Sequence, residues 1–122
     1  MTVLTEKNGP GKFIASEANG SLSRDVVTID TGELLAGTVL GKITASGKYV
    51  QVDLAAVDGS EEAVAVLYDD ADASAADVEA VAITRLAEVN DAYLVYPDGA
   101  SANDIAAINA ALLANSIIVV RT

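Results

Sequence analysis

Ala36-Gly37-Thr38-Val39-Leu40-Gly41-Lys42-Ile43-Thr44, with Lys48-Tyr49-Val50 beginning four residues on, is the stretch whose reading decides the fold class. Val39, Gly41 and Ile43 alternate with Leu40, Lys42 and Thr44, the period of two that marks a strand. Ser46-Gly47 then turns into Tyr49-Val50-Gln51-Val52, which predicts a hairpin. Gly37 and Gly41 mark tight bends or places where another backbone comes close. No side chain here carries chemistry, so the unit reads as purely structural.

The segments on either side extend the same pattern. Val26-Val27-Thr28-Ile29 is β-branched and reads as a strand, closed by a turn at Asp30-Thr31-Gly32. After a loop from Asp53 to Glu62, Ala63 to Tyr68 is apolar on both faces and therefore predicts a central strand. Asp69 to Asp77 reads as an acidic connection. Val78 to Val89 reads as one long strand with Val81, Ile83, Arg85, Ala87 and Val89 on one face. Arg85 is then expected at the sheet edge, paired with an acid such as Glu88 or with a partner's acid. Tyr93 to Tyr96 predicts a short strand ended by Pro97-Asp98-Gly99. A single helix begins at Ser101, an N-cap residue with Asp104 in the first turn. Ile105, Ile108 and Leu112 form its apolar stripe, Asn115 is the expected left-handed cap, and Ile117 to Val120 predicts a final strand. The sum is a mainly β chain: a small β-barrel or β-sandwich-like domain over 22–122, one C-terminal helix, and a flexible N-terminal arm over 1–21.

The arm holds two apolar pairs, Val3-Leu4 and Phe13-Ile14, separated by Asn8-Gly9-Pro10-Gly11. Gly, Pro and Asn at that density argue for a segment that packs poorly on its own domain. Apolar anchors in a polar arm suit one that orders on a partner, for example by adding a strand to a sheet edge. Removing residues 1–14 is accordingly expected to leave the domain folded.

Of the 122 residues, 52% are hydrophobic, yet 23 are alanine and five are aromatic. One thin core of Val, Ile and Leu is expected, helped by association between copies, since there is no cysteine to form a disulfide. The net charge is -11. Residues 1–48 balance five bases against five acids, whereas 49–122 set thirteen acids against Arg85 and Arg121. That imbalance disfavours nucleic acid, whose binding depends on neutralising phosphates with Lys and Arg. No apolar run is long enough for a membrane span, and the first residues lack the pattern of a secretory signal.

Catalytic constellations are equally thin. Without histidine or cysteine there is no Ser-His pair and no thiol nucleophile. Asp69, Asp70 and Asp72 lack the glycine and the closing glutamate of a calcium loop, and Asp58 to Glu62 reads as a turn. The expectation is no enzyme, no cofactor and no metal.

Taken in order, Ser23-Arg24-Asp25-Val26-Val27-Thr28-Ile29, Ala36 to Lys42, Gly47-Lys48-Tyr49-Val50, Ala65-Val66-Leu67-Tyr68-Asp69 and Thr84 to Asn90 resemble the lambda-like head decoration proteins of tailed bacteriophages. The resemblance runs from about Ser16 to the C-terminus and rests on order and spacing. It implies a β-rich homotrimer on the outer surface of an expanded head, at three-fold and quasi-three-fold positions, strengthening the shell. The implied partners are the major capsid protein and the chain itself. Made in the host cytoplasm, such a protein ends in the virion. In that family the arm orders on the shell; Val3, Leu4, Phe13 and Ile14 are the expected contacts here, chosen for their apolarity. The alternative is a free-standing β-module that binds a small molecule or carbohydrate.

Overall fold

The computed structural model describes residues 10–18 and 22–122. Its strands are β1 (Ile14–Glu17), β2 (Arg24–Ile29), β3 (Gly32–Leu34), β4 (Val39–Lys42), β5 (Tyr49–Gln51), β6 (Ala63–Leu67), β7 (Ala71–Ala73), β8 (Val78–Ile83), β9 (Ala87–Asn90) and β10 (Ile118–Arg121). A 3-10 turn at Asp91–Tyr93 and the helix α1 (Ala102–Ser116) precede β10. Strands β2-β5-β4-β6-β8 close into a barrel, β1-β9-β10 form a second sheet, and β3 and β7 make a two-stranded ribbon. The mainly β fold with a barrel and one C-terminal helix is as expected.

The opening stretch sits at the centre of this arrangement. β4 pairs antiparallel with β5 and with β6, placing Leu40 opposite both Gln51 and Ala65. Its alternation sends Leu40 into the barrel and Val39 to the outer side of the wall. β6 also serves both sides, with Ala65 and Leu67 inside and Ala63 and Val66 outside, a register shift opposite Leu40 and Gly41 setting Ala63 out of phase. Both faces of β6 are buried, which is why its sequence is apolar throughout.

One expected core is in fact two clusters set back to back. The barrel interior holds Val27, Ile29, Leu34, Leu40, Ala65, Leu67 and Ala82. The second cluster lies between the barrel wall, α1 and the β1-β9-β10 sheet, and includes Phe13, Val66, Ile83, Val89, Ile108, Leu112 and Ile118. Small alanines lining the barrel let five short strands close on so little volume.

α1 starts as expected: Ser101 accepts from the Asp104 amide at 3.1 Å while the Asp104 carboxylate accepts from the Ser101 amide at 3.0 Å, a capping box. Its buried residues are Ile108, Leu112 and Ser116, and Ile105 is half-buried. Its end differs from expectation. Asn115 stays helical and its Nδ2 donates to the Ala63 carbonyl at 3.3 Å, so the left-handed cap falls on Ile117 at φ 52°.

Three further segments depart from the sequence reading. Val78 to Val89 is two strands, β8 in the barrel and β9 in the second sheet, because Leu86 takes φ 54° and redirects the chain. Side-chain bonds hold that break: Thr84 Oγ1 donates to Asp25 at 2.8 Å, and the Arg85 guanidinium pairs with Asp25 and donates to the Leu22 carbonyl at 2.5 Å. Glu88, the expected mate of Arg85, instead meets Arg121 at 2.8 Å. Tyr93 to Tyr96 is a 3-10 turn followed by a lone bridge between Val95 and Thr38. β3 begins within the expected turn at 30–32 and β7 lies inside the expected connection at 69–77, and the two pair over three residues.

Candidate docking face

The four residues singled out as partner contacts have separate fates. Val3 and Leu4 lie outside the described residues. Ile14 is half-buried, and Phe13, expected on a poorly packed arm, is 1% exposed inside the second cluster. Residues 10–18 are therefore fitted to the domain. β1 runs antiparallel to β9, the Gly11 amide donates to the Tyr68 carbonyl at 3.0 Å, and the Asn90 amide donates to the Phe13 carbonyl at 2.7 Å. A single large aromatic ring with a ready hollow beneath it outweighs the turn-rich composition around it.

A polar clasp adds to this seam. Glu17 accepts from Arg24 Nε at 3.1 Å and Nη2 at 2.5 Å and from the buried Ser23 hydroxyl, while the Arg24 guanidinium lies 4.3 Å from the centre of the Tyr68 ring. The bond to Arg24 holds the Glu17 carboxyl below its ordinary value near 4.5. A carboxyl depressed in the folded state contributes stability above the unfolded value, and loses it as pH falls through the folded value. Glu17→Gln is thus expected to cost about 1–2 kcal/mol at pH 7. In urea titrations at a series of pH values, that gap from wild type should close as pH drops below about 4.5. A gap that persists in acid would show that shape, and not charge, holds the clasp.

Among the described residues each of the six bases faces a carboxylate or a tyrosine ring: Arg24, Lys48, Arg85 and Arg121 in ion pairs, Lys12 over Tyr93 and Lys42 over Tyr49. The carboxylates far outnumber them. Asp30, Asp53 and Asp58 line an open hollow of about 570 Å³, and Asp98 and Asp104 join Asp53 in the next. That larger hollow has no aromatic ring in its lining, which does not favour the stacking by which sugars are usually held. Asp70 and Asp72 are taken up by the Ala36 amide and by Ser74, and no cluster of metal-ligating side chains occurs among the described residues.

β2 and β8 pair over six residues, from Arg24 opposite Ile83 to Ile29 opposite Val78, so this ladder has two ends roughly 20 Å apart. Asp30 and Asp77 lie at one end. At the other are Leu22, Arg85 and Leu86, with the charges of Arg85 and Arg24 cancelled by Asp25 and Glu17. Leu22 is 62% exposed and Leu86 43%, and Leu113 and Ile117 at the end of α1 are 53% and 59% exposed. None of these four was singled out from the sequence; the sequence signal was an α1 whose exposed positions are alanine, asparagine and leucine with no charge beyond Asp104.

A barrel with an added β1-β9-β10 sheet, a single C-terminal helix and an uncharged apolar end is the geometry against which relatives are to be judged. The family model for bacteriophage lambda head decoration protein D matches residues 3–117. The chain belongs to that head decoration family. Membership gives this decoration protein a structural place in a phage capsid. No curated protein sequence matches the chain. The family match includes β1 and the residues before it, so the start of the chain is an integral part of the decoration-protein pattern.

Proposed function

We propose that this chain is a noncatalytic cementing protein that docks as a homotrimer on the outer surface of an expanded phage head, at three-fold and quasi-three-fold positions. The family match over nearly the whole chain carries this reading. Its partners are the major capsid protein and two further copies of itself, with no nucleic acid, membrane or cofactor involved. The mechanism is mass action: a molecule that binds only the assembled, expanded lattice stabilises it by RT ln(1 + [L]/Kd) at each site, about 2.7 kcal/mol at a hundredfold excess over Kd. Many sites per shell add up.

Val3 and Leu4 are the proposed shell contacts, with Ile14 at the edge of the folded domain; Phe13 is occupied within the core and anchors the segment that carries them. The burial of Phe13 also changes the proper truncation. Deleting residues 1–14 would remove a core side chain, whereas deleting 1–9 spares every described residue. The shortened chain is expected to keep its circular dichroism and thermal midpoint while its cosedimentation with expanded shells weakens by an order of magnitude or more, about the loss of two aliphatic anchors. Undiminished binding would remove Val3 and Leu4 from the contact. Equal binding of the intact protein to expanded and unexpanded shells would reject the expansion requirement, and no binding to either would reject the cementing role.

A further inference from the structure

Val26 and Val81 stand opposite each other in the β2–β8 ladder and are 66% and 36% exposed. Val27 and Ile29 fill the barrel, so Arg24, Val26 and Thr28 point outward, and Val81 shares that outer face. The Thr84 amide donates to the Ser23 carbonyl at 2.8 Å, which sets the phase of the ladder. Ser23, Asp25, Val27 and Ile29 bond toward β8, while the backbone groups of Arg24 and Val26 point away from it. Val26 and Val81 are therefore a non-hydrogen-bonded pair, the kind whose Cα atoms stand about 4.5 Å apart with side chains close together. Among the described residues β5 meets β2 at a single pair, Ile29 opposite Tyr49, and no strand accompanies Arg24 and Val26 on that side. An exposed apolar pair thus borders a free strand edge, the arrangement that accepts an added strand.

The arm is rooted beside this strand. The Gly11 amide donates to the Tyr68 carbonyl at 3.0 Å, and a Cβ on Gly11 would meet the Tyr68 ring at 2.6 Å. The Arg24 guanidinium lies over the same ring, 4.3 Å from its centre. The Tyr68 amide in turn donates to the Val81 carbonyl at 2.9 Å. Gly11, Tyr68, Arg24, Val26 and Val81 are thus continuous. Leu4, seven residues before Gly11, can reach no farther than about 25 Å from them.

That tether selects the occupant. The family match makes a phage head the object this protein decorates, and a shell gripped by Val3 and Leu4 lies within the arm's reach of β2. Two aliphatic side chains cover a small part of the roughly 800 Å² that each partner gives to a stable interface, so the domain itself must supply further area. The face at the arm's root is the part that the arm brings to the shell. Its charges are compensated, Arg24 by Glu17 and Asp25 by Arg85, so it offers apolar contact and backbone bonds in place of ion pairs. We propose that β2 receives an extended apolar segment of the shell protein, which adds to the free edge at Arg24 and Val26 and covers Val26 and Val81. This assignment rests on the cementing reading above and names a second shell contact, on the domain.

The test compares wild type, Val26→Lys and Val57→Lys for cosedimentation with expanded shells. Lysine is a residue with which sheet edges refuse an added strand. Val57, 96% exposed in the loop between β5 and β6, receives the same change of charge on a different element. Both side chains are exposed, so circular dichroism and thermal midpoint should match wild type. Val26→Lys is expected to bind at least about tenfold more weakly, and Val57→Lys as well as wild type. Hydrogen exchange followed by mass spectrometry reads the same contact without a substitution: the peptide covering residues 24–28 should take up deuterium at its outward amides in solution and lose that uptake on the shell. Should Val26→Lys lower the thermal midpoint, the exchange measurement decides. A wild type that binds no shell overturns the cementing reading itself. Where wild type binds, equal binding by Val26→Lys, equal weakening by both lysine variants, or unchanged exchange over 24–28 overturns only this assignment.

Discussion

Phe13→Ala should destabilise the isolated protein by about 3–5 kcal/mol, the usual cost of removing a fully buried aromatic ring and leaving its cavity. Phe13 is 1% exposed and is the one phenylalanine in the chain. It shares its cluster with Val66, Ile83, Val89, Ile108, Leu112 and Ile118, so its ring bridges the barrel wall, β9 and α1. Loss of that bridge would also loosen β1, whose one strand partner among the described residues is β9. Urea denaturation monitored by far-ultraviolet circular dichroism measures the effect. A change below about 1 kcal/mol would mean that the hollow collapses without the ring, and that β1 is held by its backbone bonds and the Glu17–Arg24 clasp alone.

Gly37→Ala should be nearly as damaging, at about 2–5 kcal/mol, because two independent costs coincide. Gly37 has φ 91°, and a Cβ there would collide with the Tyr93 carbonyl. The backbone cannot simply move aside: the Gly37 amide donates to the Leu67 carbonyl at 2.8 Å, and its own carbonyl accepts from the Val95 amide at 2.8 Å. Gly99→Ala provides the comparison. Gly99 also has positive φ, 76°, but open space where its Cβ would stand, so only the conformational cost of about 1 kcal/mol remains. Thermal melts of the two variants separate collision from strain. Equal losses would show that the approach of residue 93 to residue 37 contributes nothing.

These two positions also show what the sequence could and could not disclose. Gly37 and Gly41 were readable as places of close backbone approach, and both are: a Cβ on Gly41 would meet the Ser60 backbone just as one on Gly37 would meet Tyr93. The β4–β5 hairpin, the two-faced β6 and the Ser101 cap were legible because local pattern and final burial agree there. Phe13 was misplaced because its burial depends on partners 26 to 105 residues away, while the residues just before it are proline, glycine and lysine. The division between β8 and β9 was hidden for a related reason: Arg85 and Leu86 interrupt the alternation for two residues only before it resumes in the same phase at Ala87, and a backbone angle marks the change of sheet. β3 and β7 are three residues each and are defined by mutual pairing, with Gly, Ala and Asp offering little strand propensity of their own.

The same holds for the docking face. Charges balance within the first 48 residues, but the uncharged end of the fold draws equally on Leu86, Leu113 and Ile117 from the acidic remainder. Ion pairing across the fold brings this about, since Asp25 of the first part cancels Arg85 of the second. Chain position and spatial position part company wherever a barrel folds distant segments onto one end.

β6 acts as a party wall, papered on one side by the barrel interior and on the other by α1 and its neighbours. Neither compartment can melt without stripping one side of that wall, so partial loosening has no comfortable resting state. A head studded with such modules would carry each of them either whole or not at all, with no half-open copies through which the lattice could begin to give way.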